Sequence, residues 1–65
     1  MISSKIIARL LREGWTFDRQ KGSHRTYKKA GNPMIVTVPH PRRDMPKGTL
    51  RSICRAAGWE FPPGL

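Results

Sequence analysis

Turn formers cut this chain into short segments, and that punctuation limits its fold more than any other feature. Gly14, Lys21-Gly22-Ser23, Ala30-Gly31-Asn32-Pro33, the trio Pro39, Pro41 and Pro46, and Gly58 mark the breaks. Glycine and proline clusters of this kind are turns and element ends, so each stretch between them holds one helix or one strand. In the first stretch Ile6, Ile7, Leu10 and Leu11 recur at helical spacing. Ser3 or Ser4 is placed to cap the start by accepting from backbone N–H groups. Gly14 suits the position after the end. The spacing predicts a helix over 4–13 with one buried stripe.

Trp15, Phe17 and Arg19 then alternate with Thr16, Asp18 and Gln20, which predicts a strand with Trp15 and Phe17 toward the core. Lys21-Gly22-Ser23 turns the chain into a second strand over 24–29, and a second turn leads to a third over 34–38. Proline cannot donate to a ladder, so Pro39 is expected to lie just past the end of the sheet. A second helix begins near Pro46, since proline is tolerated in a first helical turn. Its apolar stripe is Leu50, Ile53, Cys54 and Ala57, and Gly58 ends it. Lys47, Arg51 and Arg55 recur on the opposite side. The tail from Trp59 to Leu65 is expected to be irregular, with Trp59 and Phe61 over one edge of the core. The predicted class is α+β. In α-β-β-β-α order, two helices cover one face of a three-stranded antiparallel meander and leave the other wet.

The chain has 65 residues, which predicts one domain over 1–65 with a single core. Thirteen lysines and arginines oppose four acids, for a formal net charge of +9. That imbalance concerns partners rather than fold: nucleic acid, an anionic surface or an acidic protein. Cys54 is the only cysteine, so no intrachain disulfide forms. No apolar stretch is long enough for a signal peptide or a membrane span. These points place the protein in the cytoplasm and predict no membrane partner.

Metal chemistry is poorly served. His24, His40, Cys54 and four scattered acids give no ligand cluster, and zinc or two-metal sites need three or more spaced ligands. Cys54 falls on an apolar helix face and reads as a core residue. No cofactor is expected. What remains is proton transfer. His24 begins a strand in the run Lys21-Gly22-Ser23-His24-Arg25-Thr26-Tyr27. If Tyr27 packs under the helices, Arg25 and Lys29 share its side, while His24, Thr26 and Lys28 point to the open face. Imidazole is the side chain whose ordinary pKa lies near neutrality. RNA supplies its own nucleophile, the 2′-hydroxyl. A metal-free cleavage site therefore needs only proton transfer and cations around the phosphorane. His24 is the candidate for the first role. Lys21, Arg25 and Lys28 are candidates for the second, with Ser23 to orient the ring or bond a phosphate oxygen. Arg42 and Arg43 are further candidates for gripping RNA. His40 reads first as a loop histidine fixed by flanking prolines, and otherwise as a second proton-transfer group or a phosphate contact.

Five sequence features occur together and in order: Gly14-Trp15, Gly22-Ser23-His24, Val36-Thr37-Val38-Pro39-His40-Pro41, Pro46-Lys47-Gly48-Thr49-Leu50-Arg51-Ser52-Ile53, and Gly58. With them the chain resembles the HicA toxins of type II toxin–antitoxin systems over nearly its whole length. The resemblance implies a double-stranded-RNA-binding-domain-like fold and an mRNA interferase, an endoribonuclease that blocks translation. It implies that the histidine of Gly-Ser-His, here His24, is catalytic. It implies a HicB antitoxin as partner, with DNA reached only through that antitoxin. The competing expectation is a non-catalytic double-stranded-RNA-binding module, which the charge and fold suit equally well.

Overall fold

The computed structural model describes residues 1–65. The chain runs α1 (Ser3–Arg12), β1 (Thr16–Lys21), β2 (His24–Lys29), β3 (Asn32–Pro39) and α2 (Lys47–Ala57). The strands form one antiparallel sheet in the order β1-β2-β3. The α+β architecture and element order agree with the expectation from sequence. Both helices lie on the same face, chiefly over β3.

One apolar cluster joins the layers. Ile6, Ile7 and Leu10 of α1 and Leu50, Ile53 and Cys54 of α2 meet Tyr27, Val36 and Val38 of the sheet. Trp15, Met45 and Trp59 close the sides. Each large apolar side chain buried here contributes about 1.5–3 kcal/mol relative to exposure. A core in a chain this short rarely leaves more than about 3–5 kcal/mol net.

Four local expectations are corrected. Neither Ser3 nor Ser4 caps α1: Ile2 occupies the cap position without a side-chain bond, and Ser3 is the first helical residue. Leu11 is not in the buried stripe. It stands 53% exposed, because α1 meets the sheet chiefly at β3 and buries only the side that carries Ser3, Ile6, Ile7 and Leu10. Phe17 is likewise 52% exposed. It pairs with Tyr27 across the ladder and therefore shares the helix-bearing face. Its strand is the edge one, and the helices sit over β3, so nothing covers it except an edge-on contact with Tyr27 at 6.0 Å. Finally, β3 includes Pro33 and Pro39. An edge strand accepts proline where the missing N–H would have faced away from its neighbour.

The tail is anchored. Gly58, at φ 76°, turns the chain left-handed after α2, and Trp59 N–H donates to Cys54 C=O at 2.8 Å. The Trp59 indole N–H then donates to Glu13 at 2.7 Å. Arg9 stacks on the Trp59 ring at 4.3 Å and pairs with Glu13 at 2.9 Å and Glu60 at 3.3 Å. It also donates to Gly64 C=O at 3.1 Å. Arg51 stacks on Phe61 at 4.5 Å.

The Trp59 indole bond, followed by the Arg9 bond, holds the Glu13 carboxyl below its usual range. A depressed folded pKa stabilises the fold above the unfolded glutamate value, about 4.3. That contribution disappears as pH falls through the folded value. Wild type is therefore expected to lose urea resistance below pH ~4.3 more steeply than Glu13→Gln. Identical acid limbs for the two proteins would show that the clasp does not couple to folding.

Candidate active site

The β1–β2 hairpin places His24. Lys21 pairs with His24, leaving Gly22 and Ser23 as a two-residue loop. Gly22 has φ 59° and Ser23 is not in the positive-φ region, which matches a turn with glycine at its first central position. The Gln20 side-chain amide donates to Gly22 C=O at 2.9 Å. Ser23 C=O accepts from His40 N–H at 2.7 Å, so the loop is tied to the end of β3.

Directly opposed residues of antiparallel strands share a face. The pairings therefore define three cross-strand rows on the face the helices leave open: Lys21–His24–Pro39, Arg19–Thr26–Thr37 and Thr16–Lys28–Ile35. His24, Lys21, Arg19 and Lys28 are all exposed. None of the chain's carboxylates pairs with His24. Thr26 is buried between its neighbours, its hydroxyl 3.3 Å from that of Thr37. The placement of His24, Thr26 and Lys28 on the open side agrees with the alternation read from sequence.

Arg19 was not among the residues singled out from sequence. Simple alternation puts it with Phe17 on the helix side. The register shifts between Phe17 and Arg19, and the extra residue at Asp18 turns Arg19 to the open face, as a bulge does. The run Phe17-Asp18-Arg19 contains no glycine to signal this. Asp18 itself is held by Arg19 and by Lys28 at 3.3 Å. The Lys28 bond, followed by the Arg19 bond, lowers its carboxyl pKa.

The other candidates are divided between locations. Arg25 shares the helix-side face with Tyr27. Its guanidinium donates to Gln20 at 3.1 Å and lies 5.8 Å from the Phe17 ring centre, so it stands at the rim rather than beside His24. Ser23 is exposed in the turn, and Arg42 and Arg43 are exposed beyond the end of β3. His40 is half-buried and faces α1, with its Nδ1 2.8 Å from Ser3 Oγ. It does not share the face of His24. Cys54 is buried, and burial raises its thiol pKa, so it is a packing residue. No three His, Cys, Asp or Glu side chains stand close enough to hold a metal ion together. No helix is long and apolar enough to cross a membrane.

A small basic α-β-β-β-α domain with one exposed histidine on a bare cationic sheet face is the class these observations define. Residues 3–59 match the family model described as the HicA toxin of bacterial toxin-antitoxin. The chain belongs to the HicA toxin family. Among solved structures it is similar to a chain of a "HicA3 and HicB3 toxin-antitoxin complex", with 38% identity and a TM-score of 0.69. The match covers 94% of this chain and 98% of that one. No curated protein sequence matches it.

Asp18 competes with external anions for two exposed cations of the open face, Arg19 and Lys28. Asp18→Asn is therefore expected to elute from a heparin column at higher salt than wild type. Elution at the same salt would show that Arg19 and Lys28 are already fully available.

Proposed function

We propose that this toxin is an endoribonuclease that cuts mRNA and so blocks translation, and that a HicB-type antitoxin is its partner. One observation carries the proposal: the His24 imidazole is exposed at the Gly-Ser-His hairpin, on a cationic face that no helix covers. The similarity to a HicA chain solved with HicB3 supports the partner. The proposed compartment is the cytoplasm, where mRNA is available.

The chemistry follows from the residues at hand. The 2′-hydroxyl oxygen attacks the adjacent phosphorus, and the bond from phosphorus to the 5′-oxygen breaks. A proton leaves the 2′-oxygen and one arrives on the 5′-oxygen; His24 carries out one of these two transfers. Lys21, beside His24 in the same row, and Arg19, in the next, stabilise the charge that builds on the phosphorane oxygens. Lys28, Ser23 and the rim residue Arg25 extend the grip along the backbone, and Arg42 and Arg43 hold it beyond β3. Guanidinium groups suit this role because their forked donors match phosphate oxygens. DNA lacks the attacking hydroxyl and is not cut. The antitoxin covers the same positive face and excludes RNA by occupying it.

His24→Ala removes an exposed side chain and is expected to cost under about 0.5 kcal/mol of stability. It should abolish RNA cleavage and relieve growth arrest while leaving the urea midpoint in place. Full toxicity from a folded His24→Ala would move the chemistry elsewhere. RNA binding by a wild type that never cuts would favour the non-catalytic module.

Cleavage by wild type is also expected to continue in EDTA, because no ligand cluster stands near the face. Loss of cleavage in EDTA with recovery on adding one divalent ion would overturn the acid–base route.

A further inference from the structure

Two successive rows of the open face share one layout. In the first, Lys21 on β1 stands opposite His24 on β2. In the second, Arg19 stands opposite Thr26, with Thr37 beyond it on β3. Each row thus has a cation on the edge strand and, next to it, a group able both to donate and to accept a hydrogen bond. The rows are two residues apart along β2, which is about 6.6–6.8 Å. The third row, Thr16–Lys28–Ile35, breaks the pattern. Its cation is on the central strand, its Thr16 hydroxyl already donates to Lys28 C=O at 3.3 Å, and Ile35 is apolar.

The threonine pair is the one neutral polar group in the middle of a cationic face. The two hydroxyl oxygens lie 3.3 Å apart, and either one can be the donor. Thr26 is 6% exposed, whereas Thr37 is exposed. Two hydroxyls hold two protons, and their mutual contact uses one. If Thr26 donates, Thr37 offers a proton outward. If Thr37 donates, it offers lone pairs outward. A phosphate oxygen only accepts and fits the first arrangement alone. A ribose 2′-hydroxyl both donates and accepts, so it fits either.

The repeat of the two rows matches the repeat of a polyribonucleotide, in which an anionic phosphate alternates with a neutral ribose. A strand laid along the sheet keeps its phosphates over the β1 cations and its riboses over β2 and β3. Arg19 engages Asp18 through one terminal nitrogen, and its forked guanidinium has further donors for an anion. We propose that Thr37, backed by Thr26, binds the 2′-hydroxyl of the ribose next to the one presented to His24. Thr37 is then a specificity residue, and the face selects RNA in binding as well as in chemistry. The statement that this ribose neighbours a cleaved one rests on the ribonuclease reading; the contact with a ribose hydroxyl does not.

The test uses the full chain carrying His24→Ala, which leaves RNA uncut and removes the imidazole from the comparison. Its affinity is measured at one fixed salt for a single-stranded RNA and for the 2′-deoxy strand of the same base sequence. The RNA is expected to bind more tightly. Adding Thr26→Val and Thr37→Val together leaves no buried hydroxyl without its partner, and valine keeps the branched shape that a strand favours. The double change should lower the RNA-to-deoxy affinity ratio about two- to tenfold, the worth of one neutral hydrogen bond. Affinity for the deoxy strand should not move. Thr37→Ser, which keeps the exposed hydroxyl, should keep the ratio. An equal ratio with and without the valines, or an equal loss for both strands, would overturn the ribose contact. Continued RNA cleavage by the wild type would leave the ribonuclease reading standing in that case. A ratio that falls as expected, in a protein whose wild type cuts no RNA, would support the contact and overturn the ribonuclease reading.

Discussion

The ladder between β2 and β3 is the constraint on which the rest of this structure depends. It sets Tyr27 beside Val36 and Arg25 beside Val38, which gives the helices an apolar surface to cover. The same pairing sets His24 against Pro39, Thr26 against Thr37 and Lys28 against Ile35 on the opposite side. Because side chains alternate, a one-residue slip would carry the core residues into solvent and bring the cations under the helices. Burial therefore enforces the register of the functional face as well as that of the core. The bond from His40 N–H to Ser23 C=O, at 2.7 Å, adds a fixed point beyond the last paired residue. It ties the hairpin that carries His24 to the loop that carries Arg42 and Arg43.

Three of the four acids pair with cations, and Asp44 stands exposed beside Arg43 without such a pair. Glu13 and Glu60 meet Arg9 at the tail, away from the hairpin. Asp18 lies on the open face but already has two cations. Ten of the thirteen lysines and arginines have no carboxylate partner. Exposed ion pairs add little stability, about 0–1 kcal/mol, so leaving these cations unpaired costs the fold little. Their summed field persists over about 8–10 Å at ordinary ionic strength. Such a field attracts any polyanion and any acidic protein surface alike.

Much of this was legible in the residues. Glycine and proline positions gave the element order, and period-two spacing put His24 and Lys28 on one side. Three features were not legible, each for a physical reason. The bulge at Asp18 that turns Arg19 to the open face requires only one extra residue in an edge strand, and no residue type there demands it. Leu11 and Phe17 look like core residues because apolar spacing cannot report how far a partner layer extends. Ser3 reads as a helix cap because serine commonly serves there. Its long-range partners, His40 and Arg42, become visible only when β3 returns to the start of α1. The tail gave no role from composition, since its anchors Arg9 and Glu13 lie on the first helix.

The division of labour between the two faces has a consequence for how this chain tolerates change. The residues proposed to hold RNA are mostly exposed and make few bonds that the fold needs, whereas the core draws on Trp15, Tyr27, Val36 and their neighbours. Cores in chains this short rarely supply more than about 3–5 kcal/mol net, which leaves little margin for a core truncation, typically costing about 2–5 kcal/mol. Replacing a surface cation costs far less. His40 and Ser3 stand with the core set rather than with the exposed cations. Their contact, Ser3 Oγ to His40 Nδ1 at 2.8 Å, joins the end of the sheet to the first helix, so a change at either acts on the fold first.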